Sequence, residues 1–98
     1  DVGFHIDNVR WAPDGSLLAA GHMWDDDDAL AQCLGRQECD GVTSRVARVD
    51  PDRLTAEEII RYPSNEHFLM GTVALQVGDE IWLGGIAGGD RIVRFPAP

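Results

Sequence analysis

The sequence has few basic residues, few cysteines and no long apolar run, and each shortage excludes a class of protein. Eight lysines and arginines stand against 17 aspartates and glutamates, which gives a net charge of −9. Because nucleic-acid binding needs clustered basic side chains, this balance argues against nucleic-acid binding. No segment approaches the roughly 20 apolar residues that cross a membrane as a helix. The acidic charge permits cation binding, but a soluble protein that repels its own copies is the commoner explanation.

The cysteine count leaves the redox compartment open. Cys33 and Cys39 lie in one polar segment. A local disulfide would suit an exported protein, whereas two free thiols would suit the cytosol. A zinc site is disfavoured, because the spacing is wrong and no second Cys or His pair follows. The chain begins at Asp1 without a signal peptide, which indicates a processed or excised polypeptide.

A strand–turn–strand pattern over residues 7–22 organises the chain. Val9 and Trp11 alternate with polar residues, which is typical of a half-buried strand. Residues 12–15, Ala-Pro-Asp-Gly, predict a tight turn, since proline pre-sets one φ angle and glycine tolerates a positive one. Residues 17–20 form a short apolar run, which predicts a buried strand.

Polar residues stand at both outer ends of this pattern. Asp7 and Asn8 precede the first strand, and His22 follows the second. In an antiparallel pair, the start of one strand lies beside the end of the other. We therefore expect these three side chains at one edge of the sheet and the turn at the opposite edge.

The pattern recurs along the chain. At a shift of 64 positions and without a gap, Val9 falls on Val73, Trp11 on Leu75 and Leu18 on Trp82. Residues 45–49 match residues 91–95 at a shift of 46. The difference between the two shifts corresponds to 18 residues inserted after His22. Without that insertion the period is 46, which lies in the range of β-propeller blades.

The predicted fold is therefore all-β, two β-propeller blades of the four-stranded type, the second lacking its outer strand. The first blade covers residues 1–63 and carries an acidic insertion loop at 24–43; the final, three-stranded blade covers residues 64–98. Residues 55–58 resemble a helix capping box, but the run before Pro63 favours an edge strand. Two blades cannot close a ring, so the remaining blades of a parent propeller or further copies of this chain are expected as partners.

Two motif sets carry a resemblance to a known superfamily. The first is Asp7-Asn8 before a strand and a Pro-containing turn, with Gly21-His22 at the end of the next strand. The second is Gly71-Thr72-Val73-Ala74 followed by Gly78-Asp79-Glu80-Ile81-Trp82-Leu83. The chain resembles the calcium-dependent six-bladed propellers of the paraoxonase, senescence marker protein/gluconolactonase and strictosidine synthase-like superfamily, outside residues 24–43.

The resemblance implies a site and an activity. Asp7 and Asn8 would be ligands of a calcium ion (Ca²⁺) at the centre of a six-bladed ring, and His22 would line the substrate pocket as the candidate catalytic residue. Apart from the resemblance, His67 and Phe68 precede an inner strand and are expected on the same face, where they would contact a small-molecule ester or lactone. The implied activity is that of a lactonase or arylesterase. The family's other calcium ligands and its histidine dyad lie in blades that this chain lacks.

Each of these residues also has an explanation that involves no function. Asp7 and Asn8 are a common pair for satisfying backbone amides at the start of a strand. His22 and His67 could also simply pack at strand ends; the expected edge position of His22 favours a pocket role, whereas for His67 the two explanations are even. The four aspartates at 25–28 are most often a solvated loop; the functional alternatives are a lid, which we favour, and a second cation site. A non-catalytic propeller fragment or binding scaffold is therefore the alternative to the hydrolase.

Overall fold

The computed structural model describes residues 2–27, 31, 33, 41–63, 69–87 and 92–98. Within these ranges the chain forms seven strands: β1 His5–Trp11, β2 Leu17–Trp24, β3 Val42–Asp50, β4 Thr55–Pro63, β5 Leu69–Val77, β6 Glu80–Ala87 and β7 Ile92–Pro96. They form two antiparallel sheets. Sheet 1 has the order β1-β2-β3-β4, and sheet 2 has the order β5-β6-β7. The predicted all-β class is confirmed, and within the described residues the strands divide into four and three, as the sequence predicts.

The turns follow from their sequences. Gly15 and Gly78 adopt φ angles of +87° and +62° in the β1–β2 and β5–β6 connections, which glycine tolerates without steric cost. The β3–β4 connection instead places Leu54 at a φ of +56°. Residues 55–58 begin β4 and not a helix, as the run before Pro63 predicts.

The two sheets repeat each other with one correction to the predicted alignment. A β-bulge interrupts the β1–β2 pairing at Asp7 and the β5–β6 pairing at Thr72. The bulges coincide when β1 is shifted by 65 positions, whereas β2 maps onto β6 at 64. The ungapped shift of 64 is therefore wrong for β1, because the β5–β6 connection is one residue shorter. The pairing of β6 with β7 keeps the shift of 46 for β3.

The core lies between the two sheets. Residues that pair directly across neighbouring strands point to the same face. Sheet 1 contributes the row Ala20–Val46–Ile60, and sheet 2 contributes Ala74–Leu83–Val93 and Gln76–Ile81–Phe95. Leu18, Val46, Ile81 and Leu83 have no exposed surface.

Trp11 corrects an expectation about this core. The sequence pattern assigns Trp11 to the core together with Leu17, Leu18, Trp82 and Leu83, but its side chain is 67% exposed. The alternation of β1 indicates which face Trp11 occupies, and that face of sheet 1 is turned away from sheet 2. Leu18 and Leu83 are fully buried, as expected.

Most of the insertion at residues 24–43 lies outside the described residues. The structure extends β2 to Trp24 and begins β3 at Val42, so both ends of the predicted loop are strand. The sequence also predicts one helical turn capped by Asp28 and running to Cys33; Asp28 itself lies outside the described residues, whereas Ala31 and Cys33 are helical. Cys33 is buried and disulfide-bonded, which excludes the pair of free thiols. Cys39 itself lies outside the described residues.

Candidate functional site

The strand pairing brings three of the predicted site residues to one edge of sheet 1. His22 pairs with His5, and Asn8 pairs with Ala20, one position beyond the bulge at Asp7. The turn at residues 12–15 lies at the opposite edge. The backbone pairing therefore places Asp7, Asn8 and His22 at one edge, as expected.

Asn8 connects this edge to the second sheet. Its amide Nδ2 donates to the carbonyl oxygen of Thr72 at 2.9 Å and lies 3.3 Å from Oδ1 of Asp7. Asn8 shares a face with Ala20, so it points towards sheet 2, whereas the Asp7 side chain is exposed. An acidic and an amide side chain are thus neighbours, held beside the start of β5.

His22 makes a similar contact one residue earlier in β5. Its Nδ1 lies 3.2 Å from the carbonyl oxygen of Gly71. A carbonyl oxygen only accepts, so this hydrogen bond requires the proton on Nδ1. In the neutral ring, Nε2 is then the nitrogen with a free lone pair. The contact therefore fixes the tautomer that a general base at Nε2 would need.

Ser44 completes a set of contacts that we call the Gly71 clasp, formed by His22, Ser44 and Gly71. Ser44 pairs with His22 across β2 and β3, is fully buried, and its Oγ accepts from the Gly71 amide at 2.8 Å. Both backbone polar groups of Gly71 thus bond to sheet 1. A Cβ at position 71 would lie 3.0 Å from Cβ of Ser44, so glycine permits this close approach.

Two aromatic contacts extend the site beyond the predicted residues. His5 stacks on Trp24 with ring centroids 4.2 Å apart and planes 6° from parallel. His22 packs on Trp24 with a centroid separation of 5.7 Å. Sequence reasoning placed Trp24 in the insertion loop, and Ser44 carried no distinguishing signal. The alternation beyond His22 could have extended β2 to Trp24.

The described residues fit calcium only in part. Asp7 and Asn8 offer hard oxygen ligands of the kind that calcium prefers, but calcium takes roughly six to eight oxygens. Among the described residues, no group of three or more His, Cys, Asp or Glu side chains could hold a metal ion. Any calcium site at this edge therefore needs further oxygens besides those of Asp7 and Asn8. His67 and Phe68, the predicted substrate contacts, lie outside the described residues.

A groove of about 520 Å³ opens at the opposite end of sheet 1, between the β1–β2 and β3–β4 turns. A hydrogen bond from the Ser16 hydroxyl, together with its backbone amide and the Arg48 charge, lowers the pKa of the Asp14 carboxyl. Arg48 bonds Ser16 at 2.9 Å and reaches Gln76 of sheet 2 at 3.1 Å. These groups join the sheets at the turn end and are not among the predicted site residues.

Comparisons with known proteins return no relative: no family profile, no curated protein and no solved structure matches the chain significantly. Within the ranges that the structure describes, no helix is long and apolar enough to cross a membrane.

Proposed function

We propose that the chain supplies two blades of a six-bladed β-propeller and that the edge bearing Asp7, Asn8 and His22 belongs to a calcium-dependent ester or lactone hydrolase. One observation carries the proposal. Asn8 and His22 both reach consecutive carbonyl oxygens, of Thr72 and Gly71, at the start of the neighbouring sheet's first strand. Polar side chains of one sheet and the backbone of the next thus meet at a single edge.

The arrangement of the sheets supports the blade assignment. Each sheet is a sequential antiparallel meander, which is how propeller blades are built. The shared bulge and the consistent shifts make the sheets structural repeats. The face of sheet 1 that packs on sheet 2 corresponds to the face of sheet 2 that points away from sheet 1, so the two sheets follow each other in the same sense, as successive blades do.

The chemistry assigned to each residue follows from its contacts. Asp7 and Asn8 would hold the calcium ion, with the remaining oxygens from other blades or other copies. The bound ion would polarise an ester carbonyl and stabilise the developing oxyanion. His22, with its proton on Nδ1 directed at Gly71, would accept a proton from water at Nε2. Trp24 packs on the same ring and restricts its orientation.

Calcium titration by calorimetry and hydrolysis of an aryl acetate and a simple lactone, with calcium and with a chelator, test the proposal. We expect calcium binding and chelator-sensitive hydrolysis. Asp7→Asn should weaken calcium binding at least tenfold, because a charged ligand is lost. Asp79→Asn, an exposed carboxylate in the turn at the opposite end, is the matched control. Binding that Asp7→Asn leaves unchanged would contradict the metal assignment.

A non-catalytic propeller scaffold is the second candidate. The observation in its favour is that Asn8 Nδ2 and His22 Nδ1 are engaged in bonds between the sheets, which is a structural role. In that case His22→Ala lowers the melting temperature while no hydrolysis is present to lose. The melting temperature of His22→Ala, measured beside the hydrolysis assay, therefore separates the candidates.

A further inference from the structure

The contact between the two sheets is built from a small set of residue rows. Sheet 1 presents Asn8–Ala20–Val46 and Arg10–Leu18–Arg48, and sheet 2 meets them with Ala74–Leu83–Val93 and Gln76–Ile81–Phe95. The packing is therefore head to tail, since the two sheets contribute opposite faces of the same repeat.

The same rows recur on the outer faces. The shifts of 65, 64 and 46 map the sheet 1 rows onto Val73–Gly84–Ile92 and Leu75–Trp82–Arg94, on the outer side of sheet 2. In reverse, they map the sheet 2 rows onto Val9–Ala19–Ala47 and Trp11–Leu17–Val49, on the outer side of sheet 1. Of these twelve residues, Arg94 alone is charged.

Four large side chains of these outer rows lie open to solvent, whereas Leu17 and Trp82 are half-buried. Trp11 and Val9 are 67% and 43% exposed on sheet 1, and Ile92 and Leu75 are 61% and 49% exposed on sheet 2. Scattered exposed apolar residues are normal, but contiguous patches on two faces mark interaction surfaces. Ala19 and Ala47 are buried, with Arg45 bonded to Glu58 across the outer strands of that face. The open part is therefore the half nearest β1.

One polar contact shows which face each patch would meet. Between the sheets, Arg48 bonds Ser16 on its own sheet and Gln76 on the other. The repeat places Arg94 at the position of Arg48 and Glu80 at that of Ser16, and Arg94 bonds Glu80 at 3.5 Å. The position of Gln76 is taken by Trp11. An arginine facing an indole ring makes a favourable cation–π contact.

We propose that the outer face of sheet 2 binds the outer face of sheet 1 of a second copy of this chain, with Arg94 of one copy against Trp11 of the next. The interface continues the contact that already joins the two sheets within one chain. Such a heterologous contact closes into a ring or grows into a filament. If the ring has the six blades of the proposed function, three copies close it. Only this copy number rests on the proposed function.

Light scattering with size-exclusion chromatography tests the interface through two single-face variants. Trp11→Lys blocks the sheet 1 face, and Ile92→Lys blocks the sheet 2 face. The wild-type chain should elute at a multiple of its 10.7 kDa mass. Each variant alone should be monomeric. An equal mixture should form a species of twice the chain mass, because one live face of each kind remains.

Several results would overturn the interface. A wild-type chain that stays monomeric at millimolar concentration leaves the faces to other blades of a longer polypeptide. A variant that still associates with itself shows a symmetric contact, and a mixture that stays monomeric shows that the faces do not fit. Leu54→Lys, 84% exposed in the β3–β4 connection, should keep the wild-type mass. Should Trp11→Lys misfold by circular dichroism, Val9→Lys replaces it.

The assembly and the hydrolase can fail separately. A wild-type assembly without calcium-dependent hydrolysis retains the interface and removes the enzymatic proposal. A monomer that binds calcium and hydrolyses an ester does the reverse.

Discussion

Sheets 1 and 2 share their bulge, their register and the sense in which they face, yet they use different groups where they meet. Sheet 1 contributes polar side chains, those of Asn8, His22, Ser44 and Arg48. Sheet 2 contributes mostly backbone, the Gly71 and Thr72 peptide groups. The repeat places Val73 at the position of Asn8. The polar edge of sheet 1 is therefore not a requirement of the repeated fold, which makes it a candidate for a role specific to that edge.

The largest loss of stability is expected from adding a Cβ at Gly21, where β2 passes close to β1. A Cβ at Gly21 would overlap the His5 carbonyl oxygen and lie 3.0 Å from Cα of Ile6. Gly21→Ala should therefore separate β1 from β2 and cost about 3 kcal/mol or more in urea unfolding. Gly84→Ala in sheet 2 is the control, since its Cβ would meet only a side-chain methyl of Val73 at 3.3 Å. Equal losses in the free energy of unfolding would contradict this difference in crowding between Gly21 and Gly84.

The Gly71 clasp should contribute the next largest effect. Ser44→Ala leaves the buried Gly71 amide without its acceptor, and an unsatisfied buried donor costs about 1–3 kcal/mol. Chemical denaturation should show this loss. Thr55→Ala on exposed β4 should change the free energy of unfolding by less than about 0.5 kcal/mol. A loss of that small size for Ser44→Ala would mean that the sheets do not depend on the clasp.

A substitution in the β3–β4 turn is expected to raise the free energy of unfolding and not to lower it. Gly15 and Gly78 suit their positive φ angles, whereas Leu54 adopts one with an 84% exposed side chain. A left-handed conformation costs a residue with a Cβ about 1–2 kcal/mol, and glycine's added freedom in the unfolded chain offsets part of the gain. Leu54→Gly should therefore raise the free energy of unfolding by about 0.5–1 kcal/mol. A lower melting temperature would show that Leu54 makes a contact worth more than its strain.

The smallest effect concerns β4, the fourth strand of sheet 1. Burial raises the pKa of Glu58, but hydrogen bonds from Arg45 and Arg61 outweigh it and bring the pKa below its ordinary value of 4.5. A lowered folded-state pKa stabilises the protein above pH 4.5, and this contribution is lost as the pH falls through the folded value.

Glu58→Gln should therefore lower the free energy of unfolding by less than about 1 kcal/mol at pH 7, since the ion pairs of Glu58 with Arg45 and Arg61 are partly exposed to solvent. Its unfolding free energy should also fall less steeply below pH 4.5. Denaturant titrations at pH 7, 5 and 3 measure both, with the exposed neighbour Glu57→Gln as the control. An acid dependence identical to that of the wild type would contradict the role of Glu58.

Most of the fold could be predicted from local patterns in the sequence. The apolar alternation, the turn residues and the run that ends at Pro63 predict the seven strands found in the described residues. Antiparallel pairing alone places Asp7, Asn8 and His22 at one edge. The pattern could not predict that Trp11 is exposed, because alternation indicates a face and not whether another sheet covers it. Ser44 was not found for a similar reason: a serine in a strand becomes a buried acceptor only when a second sheet approaches it.

The one-residue difference between the two β-hairpins has a consequence for the history of the chain. A residue lost inside a strand would turn every later side chain of that strand to the other face. Lost in the connection, it leaves all four strands with their original faces. If the two halves arose by duplication, the loop was the place where their lengths could diverge without either half having to redesign its surface. An alignment that permits no gap therefore assigns β1 the wrong counterparts throughout.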